Sequence, residues 1–155
     1  DECYNYLRKA VMRLMSKNRN IKIIVTVSPI RYRKYGYHES QLSKATLLLA
    51  ADKLTKEEHV DYFPAYEILN DELRDYRFYK EDMLHPSDQA VEYIWERFAE
   101  TYFGNDTKEF LNEWKPIKEG LNHKPFNPES EDYKKFINDV TNKYDSFAKK
   151  WGITK

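Results

Sequence analysis

The chain has 155 residues, 41% of them hydrophobic and 15% aromatic, which is enough apolar material for one folded core. Lysine and arginine together number 26, as do aspartate and glutamate, so the net charge is zero and no block of like charge stands out. This balance argues against nucleic acid or an anionic membrane as the main partner and favours a small molecule or a protein.

The first third of the chain predicts a helix, a strand and a second helix. The segment Ile21–Val27 is β-branched and almost continuously apolar, as expected of a central parallel strand covered on both faces. A polar, aromatic stretch with a turn-forming Gly36 follows, and a second helix is predicted from Leu42 to about Lys56. The first helix, over residues 2–17, is predicted from apolar residues at helical spacing: Tyr4, Leu7, Val11, Leu14 and Met15.

A second, shorter strand is predicted at Val60–Phe63, where Pro64 ends it. The order helix, strand, helix, strand is typical of a right-handed crossover fold, so we expect the two strands to be parallel neighbours. In such folds the functional loops follow the carboxyl ends of the strands. Here those loops are residues 28–37 and 64–85.

The rest of the chain is predicted to be helical. Ser87 can cap a helix with an apolar stripe up to Phe98, and Thr107 can cap another with Phe110 and Trp114 on its stripe. A proline-bearing loop at 122–128 precedes a last helix. At this spacing we expect the aromatic side chains to pack in the core.

The number of predicted strands is small for a parallel sheet. A sheet covered on both faces usually has four or more strands, and this chain offers one long and one short strand. The economical explanation is that the chain is the C-terminal part of a larger α/β domain whose first strands lie upstream. The alternative is a small helical domain with a minor two-stranded sheet, which would bury Ile21–Val27 among helices.

An acid and a histidine three residues apart, Asp82 and His85, stand out in the second of these loops. An aspartate that accepts a hydrogen bond from one imidazole nitrogen leaves the other nitrogen free to take a proton from a nucleophile. The pair therefore predicts the orienting acid and the general base of an acyl-transfer site. A metal site is not predicted, because the four histidines lie far apart and none has zinc-ligand spacing.

Several motifs, in order along the chain, resemble the C-terminal half of a GSCFA-family domain, a family similar to the SGNH or GDSL-like hydrolases. Those that carry the resemblance are Thr26-Val27-Ser28-Pro29-Ile30-Arg31, Ser43-Lys44-Ala45, Tyr62-Phe63-Pro64-Ala65-Tyr66-Glu67-Ile68, Asp71 to Tyr79, Asp82-Met83-Leu84-His85-Pro86-Ser87, Tyr93-Ile94-Trp95-Glu96 and His123-Lys124-Pro125-Phe126.

The resemblance implies a flavodoxin-like three-layer fold with a Ser-His-Asp hydrolase site and no cofactor. The family's aspartate and histidine map onto Asp82 and His85, whereas its Gly-Ser-Cys-Phe-Ala segment, which would hold the nucleophilic serine, has no match here. The glycine and asparagine blocks of the oxyanion hole are also without a match. Two further departures are Tyr32, where the family pattern has a histidine, and Ser40, where it has an asparagine.

Other polar residues follow the strand ends and can line the same crevice. Arg31 and Lys44, with Ser28, are candidates for substrate contact, the alternative for the two cations being solvated surface. Arg74 and Arg77 lie among acidic residues and are expected to tie the loop through ion pairs. Alternatively, the two arginines act as a clamp that binds an anionic substrate.

The sequence thus predicts that the complete protein hydrolyses an ester or acyl group, on a small molecule or a carbohydrate. Transfer of the acyl group to a sugar hydroxyl is a close variant. The alternative is a non-catalytic interaction or carbohydrate-binding module that keeps the fold. Alone, the chain is expected to lack esterase activity and to self-associate, because its upstream strands and nucleophile lie elsewhere.

Domain limits and compartment complete the prediction. Residues 1–128 are expected to form the C-terminal part of the GSCFA domain, and residues 129–155 a helix that packs on it or extends from it. No signal peptide and no apolar run of about 20 residues is present. A single cysteine, Cys3, excludes an internal disulfide. These features favour a cytoplasmic location, although a first residue other than methionine indicates a longer gene product.

Overall fold

The computed structural model of the chain describes residues 1–153. One compact unit spans Asp1–Phe98, and a second begins at Ala99. The sequence-based division lies after residue 128, whereas the division between the compact units falls within the helix that follows Ser87.

The first unit begins with two helices and two strands: α1 (Glu2–Lys17), β1 (Ile23–Val25), α2 (Tyr37–Leu54) and β2 (Val60–Tyr62). The strands pair in parallel, with Ile23 opposite Val60 and Val25 opposite Tyr62. The predicted parallel neighbours are therefore confirmed, with α2 connecting them in sequence. The bounds predicted for α1 are also confirmed.

The core of this part lies between the helices and one face of the sheet. Val11 on α1, Leu54 on α2 and Val60 on β2 are each at most 5% exposed and contact one another. Ile23 and Val25 of β1 pack against this cluster from the sheet. Because successive strand residues point to opposite faces, these alternate positions of β1 face the helices together.

The predicted length of the first strand is wrong, and within residues 1–153 only one of its two faces is covered. The ladder of β1 is three residues long, and Ile24, whose side chain points away from the helices, is 37% exposed. Its neighbour across the ladder, Asp61, is also exposed. Within residues 1–153, the face that bears Ile24 and Asp61 is thus left largely open to solvent.

The second helix starts earlier than its apolar pattern indicates. It begins at Tyr37 instead of Leu42, because Gly36 takes the left-handed region with φ of 98° and its carbonyl accepts from the Ser40 N–H. The first turn of α2 is polar, so hydrophobic periodicity misses it. The helix ends at Leu54, near the predicted end.

The segment between β2 and Ser87, predicted as a loop, is largely built of short helical turns. Helix α3 (Ala65–Glu67) runs into a π-helix (Ile68–Leu73), and a 3₁₀ turn follows (Tyr76–Phe78). Leu69 and Phe78 are buried in a second cluster with Ala90. This packing gives the following loop a rigid base.

Three longer helices complete the chain: α4 (Asp88–Tyr102), α5 (Asn105–Leu121) and α6 (Glu131–Trp151). The Ser87 hydroxyl accepts from the Ala90 N–H, so the predicted cap of α4 is confirmed. The predicted Thr107 cap is wrong, because α5 begins two positions earlier with Gly104 at its N-cap. Ser130 caps α6 by accepting from Tyr133 N–H.

Helices α5 and α6 pack through aromatic side chains in the second unit. The ring of Phe147 on α6 lies 4.9 Å from that of Phe110 and 5.5 Å from that of Trp114, both on α5. These rings form core contacts, as predicted.

The chain as described is an α/β protein rich in helix, with a two-stranded parallel sheet. None of the helices within residues 1–153 has the length and apolarity needed to cross a membrane.

Substitution of the most buried residue of α2 tests the first core. Leu54→Ala is expected to lower the free energy of unfolding by about 2–5 kcal/mol, because it leaves a cavity between α1, α2 and β2. Leu49→Ala, on the same helix at a position 69% exposed, is the matched control and should change it by less than about 0.5 kcal/mol. Urea unfolding measures both, and equal effects would contradict this core.

A second test concerns the close approach of α5 and α6. A Cβ added at Gly120 would lie 2.7 Å from Cγ2 of Val140, so Gly120→Ala should lower the melting temperature although alanine is the better helix former. In a Val140→Ala background the same substitution has room and should raise it. A Gly120→Ala effect that is the same in both backgrounds would refute the close approach.

Candidate functional site

The candidate site is a tight loop between the 3₁₀ turn and α4, closed by backbone hydrogen bonds at both ends. The Lys80 N–H donates to the His85 carbonyl at 2.8 Å, and the Ser87 N–H donates to the Phe78 carbonyl at 2.7 Å. Since Phe78 is buried and Ser87 caps α4, the loop is held on both sides by packed structure.

Within the loop, the Asp82 carboxylate organises the turn. Its Oδ1 accepts from the backbone N–H groups of Leu84 at 2.8 Å and His85 at 3.0 Å. Its Oδ2 lies 2.6 Å from Nδ1 of the His85 ring. Met83, between them, is in the left-handed region with φ of 60°, the strained conformation that this turn requires.

These contacts determine the charge of the acid and the tautomer of the base. The His85 N–H, then its ring and the Leu84 N–H, hold the pKa of the Asp82 carboxyl well below its usual range. An ionised carboxylate is only an acceptor, so the proton between it and the ring belongs to Nδ1. In the neutral imidazole, Nε2 is then the basic nitrogen.

The His85 side chain is open to solvent. The side chain is 54% exposed, and none of residues 1–153 forms a hydrogen bond with Nε2. The Asp82–His85 pair can therefore accept a proton from an approaching hydroxyl group.

Across the same residues, no group of three or more histidine, cysteine, aspartate or glutamate side chains is arranged to hold a metal ion.

The segment after β1 reaches this loop through Arg31. Its backbone N–H donates to the Leu84 carbonyl at 3.0 Å, and its Nη1 donates to the Met83 carbonyl at 3.2 Å. The guanidinium also lies over two rings, 4.7 Å from the centroid of Tyr37 and 5.4 Å from that of Tyr79. The structure thus places Arg31 beside the Asp82–His85 loop.

Lys44 and Ser28 are brought together in a different role. Lys44 is 8% exposed, and its amine donates to the backbone carbonyl of Ser28 at 2.6 Å. Burial lowers the pKa of this amine. The hydroxyl of Ser28 accepts from the Ile30 N–H. Both side chains therefore hold the chain that follows β1, and Lys44 is buried instead of lying on the solvated surface that we considered.

The two positions that depart from the family pattern contact each other. The Ser40 hydroxyl, which is buried, accepts from the backbone N–H of Tyr32 at 3.2 Å. The ring of Tyr32 is half exposed and packs edge-on against Tyr35. Ser40 thus fixes the path of the chain between β1 and α2.

The two arginines of the preceding turns are separated by the fold. Arg74, in the left-handed region with φ of 47°, ends the π-helix and lines a cleft. Arg77 instead pairs with Asp75 at 4.0 Å and lies over the ring of Phe78. Arg77 is not among the residues that line the cleft.

The cleft, of about 270 Å³, includes residues that the sequence pattern did not identify. Arg31 and Arg74 were predicted as site residues from the sequence, whereas Gln41, Asn70, Tyr76 and Tyr79 were not. A usable signal was present, because Tyr76 and Tyr79 are three residues apart in a loop that follows a parallel strand. The lining consists of Arg31, Gln41, Leu69, Asn70, Arg74, Asp75, Tyr76 and Tyr79.

The parallel strands and the acid–histidine loop define an α/β protein with a candidate acid–base site. The chain belongs to the GSCFA family, whose model matches residues 1–98. A second model, described as the C-terminal domain of GSCFA domain proteins, matches residues 114–152. The family indicated by the sequence motifs is thus confirmed. Neither a curated protein nor a solved structure matches the chain.

The depressed pKa of Asp82 predicts an acid-dependent stability. Above its ordinary pKa near 3.8, the carboxylate is ionised in both states and its hydrogen bonds stabilise the folded one. As the pH falls below that value, the unfolded chain takes up the proton first, so this stabilisation is lost progressively. Asp82→Asn should therefore destabilise the protein more at about pH 7 than at about pH 3.

Urea unfolding at the two pH values measures this difference. Asp61→Asn is the matched control, because the exposed Asp61 carboxylate accepts no hydrogen bond from residues 1–153. Its effect at the two pH values is the reference for that of Asp82→Asn. A difference between the two pH values that is no larger for Asp82→Asn than for Asp61→Asn would show that the Asp82 carboxylate does not hold the turn.

Proposed function

We propose that the complete protein is a serine hydrolase of the SGNH-like type that acts on an ester or acyl group. In this proposal Asp82 orients the imidazole and His85 is the general base. The observation that carries it is the 2.6 Å contact between Asp82 Oδ2 and His85 Nδ1, in a side chain that is 54% exposed. Membership of the GSCFA family supports it, as does the rigid mount of the loop.

The mechanism follows from that geometry. A serine Oγ attacks the ester carbonyl carbon while His85 Nε2 takes the hydroxyl proton, and the carbon–oxygen bond to the alcohol breaks as that proton passes to the leaving oxygen. Water, deprotonated by the same nitrogen, then hydrolyses the acyl-enzyme. The ionised Asp82 stabilises the imidazolium that forms in each step. Another alcohol in place of water would give acyl transfer.

The nucleophile is proposed to come from a segment outside these 155 residues, of the Gly-Ser-Cys-Phe-Ala type. Four serine hydroxyls of the described chain accept from backbone N–H groups: that of Ser28 from Ile30, that of Ser40 from Tyr32, that of Ser87 from Ala90 and that of Ser130 from Tyr133. Within residues 1–153, no serine hydroxyl forms a hydrogen bond with His85.

We also propose that further parallel strands and a third layer complete the sheet. The open face at Ile24 and Asp61, and the three-residue ladder of β1, are consistent with such an extension. An open sheet of this kind recruits another chain unless it is covered. The chain alone is therefore expected to self-associate and to lack esterase activity.

A non-catalytic binding module is the second candidate. Two observations favour it: these serine hydroxyls are bonded to the backbone, and the chain departs from the family pattern at Tyr32 and Ser40. Both are consistent with a protein that has kept the Asp82–His85 loop and lost the hydrolase activity. The same cleft would then bind a small molecule or a carbohydrate without turnover.

The test uses the longest natural chain that contains these residues, with 4-nitrophenyl acetate as the substrate. His85→Ala should lower kcat/KM by at least about a thousandfold, because the attacking hydroxyl loses its base. Asp82→Asn should lower kcat/KM by about a hundredfold or more, since the imidazole is no longer held in the tautomer in which Nε2 is the basic nitrogen. His59→Asn is the control, because His59 precedes the amino end of β2 and asparagine tolerates its left-handed φ of 62°.

The melting temperature of each variant shows whether it is folded. Turnover that survives His85→Ala in a folded protein would remove His85 from the mechanism. No turnover in the unmodified chain, with a folded structure, would favour the binding module.

A further inference from the structure

We infer that the cleft beside the Asp82–His85 loop binds an oxyanion, a carboxylate or a phosphate, on the non-reacting part of the substrate. The inference rests on the proposed function in so far as the bound molecule is a substrate. Its own evidence is the pair Arg31 and Arg74 on one cleft lined also by side-chain amides and tyrosines.

The cleft is connected to the acid–base pair through two of its lining residues. Arg31 donates to the carbonyls of Met83 and Leu84, which lie just before His85. Tyr79 forms an isolated antiparallel bridge with Pro86, which lies just after His85. A molecule held in the cleft is thus bound by residues that also fix the position of the base.

Two cations on the cleft have donors to spare. Arg74 forms no side-chain hydrogen bond or ion pair with the residues of 1–153, and its backbone N–H is used to cap the π-helix by donating to Leu69. Arg31 uses Nη1 for Met83 and forms no ion pair within the same residues. A guanidinium has five N–H donors in a planar fork that matches an oxyanion.

The acid on the cleft contacts Arg77 and forms no ion pair with Arg31 or Arg74 within residues 1–153. Asp75 Oδ1 accepts from the Arg77 N–H at 2.9 Å, and its Oδ2 lies 4.0 Å from Arg77 Nε. The carboxylate is therefore directed to the arginine that lies outside the lining. Two cations facing one engaged carboxylate leave the cleft positive, which favours an anionic ligand.

The size and the remaining lining indicate a small, hydroxylated ligand. A volume of about 270 Å³ lies just below the range of about 300–1,000 Å³ that holds drug-sized ligands, so the cleft suits one unit such as an acidic sugar. The ring of Tyr76 is 67% exposed and offers an apolar face for stacking. Asn70 and Gln41 hydrogen-bond to Tyr66 and so are held in place at the wall.

The first experiment measures binding alone, by titrating glucuronate, glucose 6-phosphate and glucose into the full-length protein. At least one of the two anions should bind at least about tenfold more tightly than neutral glucose, because the charge-assisted hydrogen bonds are made only by the anion. Which of the two binds identifies the oxyanion as carboxylate or phosphate. Equal binding of all three sugars, or no binding of either anion, would overturn the inference.

Matched variants locate the binding. Arg74→Gln should weaken anion binding by about tenfold or more, and Arg74→Lys, which keeps the charge, by less. Arg13→Gln should leave it unchanged, because Arg13 is an exposed residue of α1 that does not line the cleft. An equal loss in the Arg74 and Arg13 variants would show a general charge effect and overturn the site.

A second experiment connects the site to turnover and separates the two proposals. Arg74→Gln should lower kcat/KM for the anionic ester mono-4-nitrophenyl succinate and leave that for neutral 4-nitrophenyl butyrate unchanged. His85→Gln should abolish turnover of both and leave anion binding intact. Anion binding without turnover would refute the hydrolase and keep the site, whereas turnover without a preference for the anion would refute the site and keep the hydrolase.

Discussion

The local structure of the site depends on one ionised carboxylate. Asp82 accepts two backbone N–H groups through Oδ1 and faces the His85 ring through Oδ2, so one side chain shapes the turn and also selects the tautomer of the imidazole. Both tasks need the negative charge, since a neutral acid would lose much of its strength as an acceptor. The left-handed Met83 is tolerated because these three contacts hold the turn.

The parts of the fold that could be predicted are those in which the local pattern and the tertiary contacts agree. Helix α1 shows its periodicity because one stripe, including Val11, is buried against α2 and β2. The length of β1 could not be predicted, because a strand ends where its partner ends and β2 offers only Val60–Tyr62. The π-helix after α3 was not predicted either, and its Leu69 is buried against Phe78 and Ala90, contacts that no spacing in the sequence reveals.

The candidate site divides in the same way. Asp82 and His85 could be found from sequence because they are neighbours on the chain and contact each other locally. The bond from Arg31 to Met83 joins residues 52 positions apart, and it depends on the strand and helix between them. The use of Lys44 as a donor to a backbone carbonyl is also a tertiary fact. Arg74 and Arg77, similar in sequence, are distinguished only by the backbone, whose left-handed turn at Arg74 directs the chain.

The contacts of Arg31 couple ligand binding in the cleft to the conformation of the Asp82–His85 loop. Its guanidinium lines the cleft and holds the carbonyl of Met83, so a ligand that draws it inward competes with the bond that steadies the histidine loop. Cleft and loop are therefore thermodynamically linked through the Arg31 side chain. If a bound ligand changes the equilibrium between two conformations of the loop by some factor, reciprocity requires that the ligand affinities of those two conformations differ by the same factor.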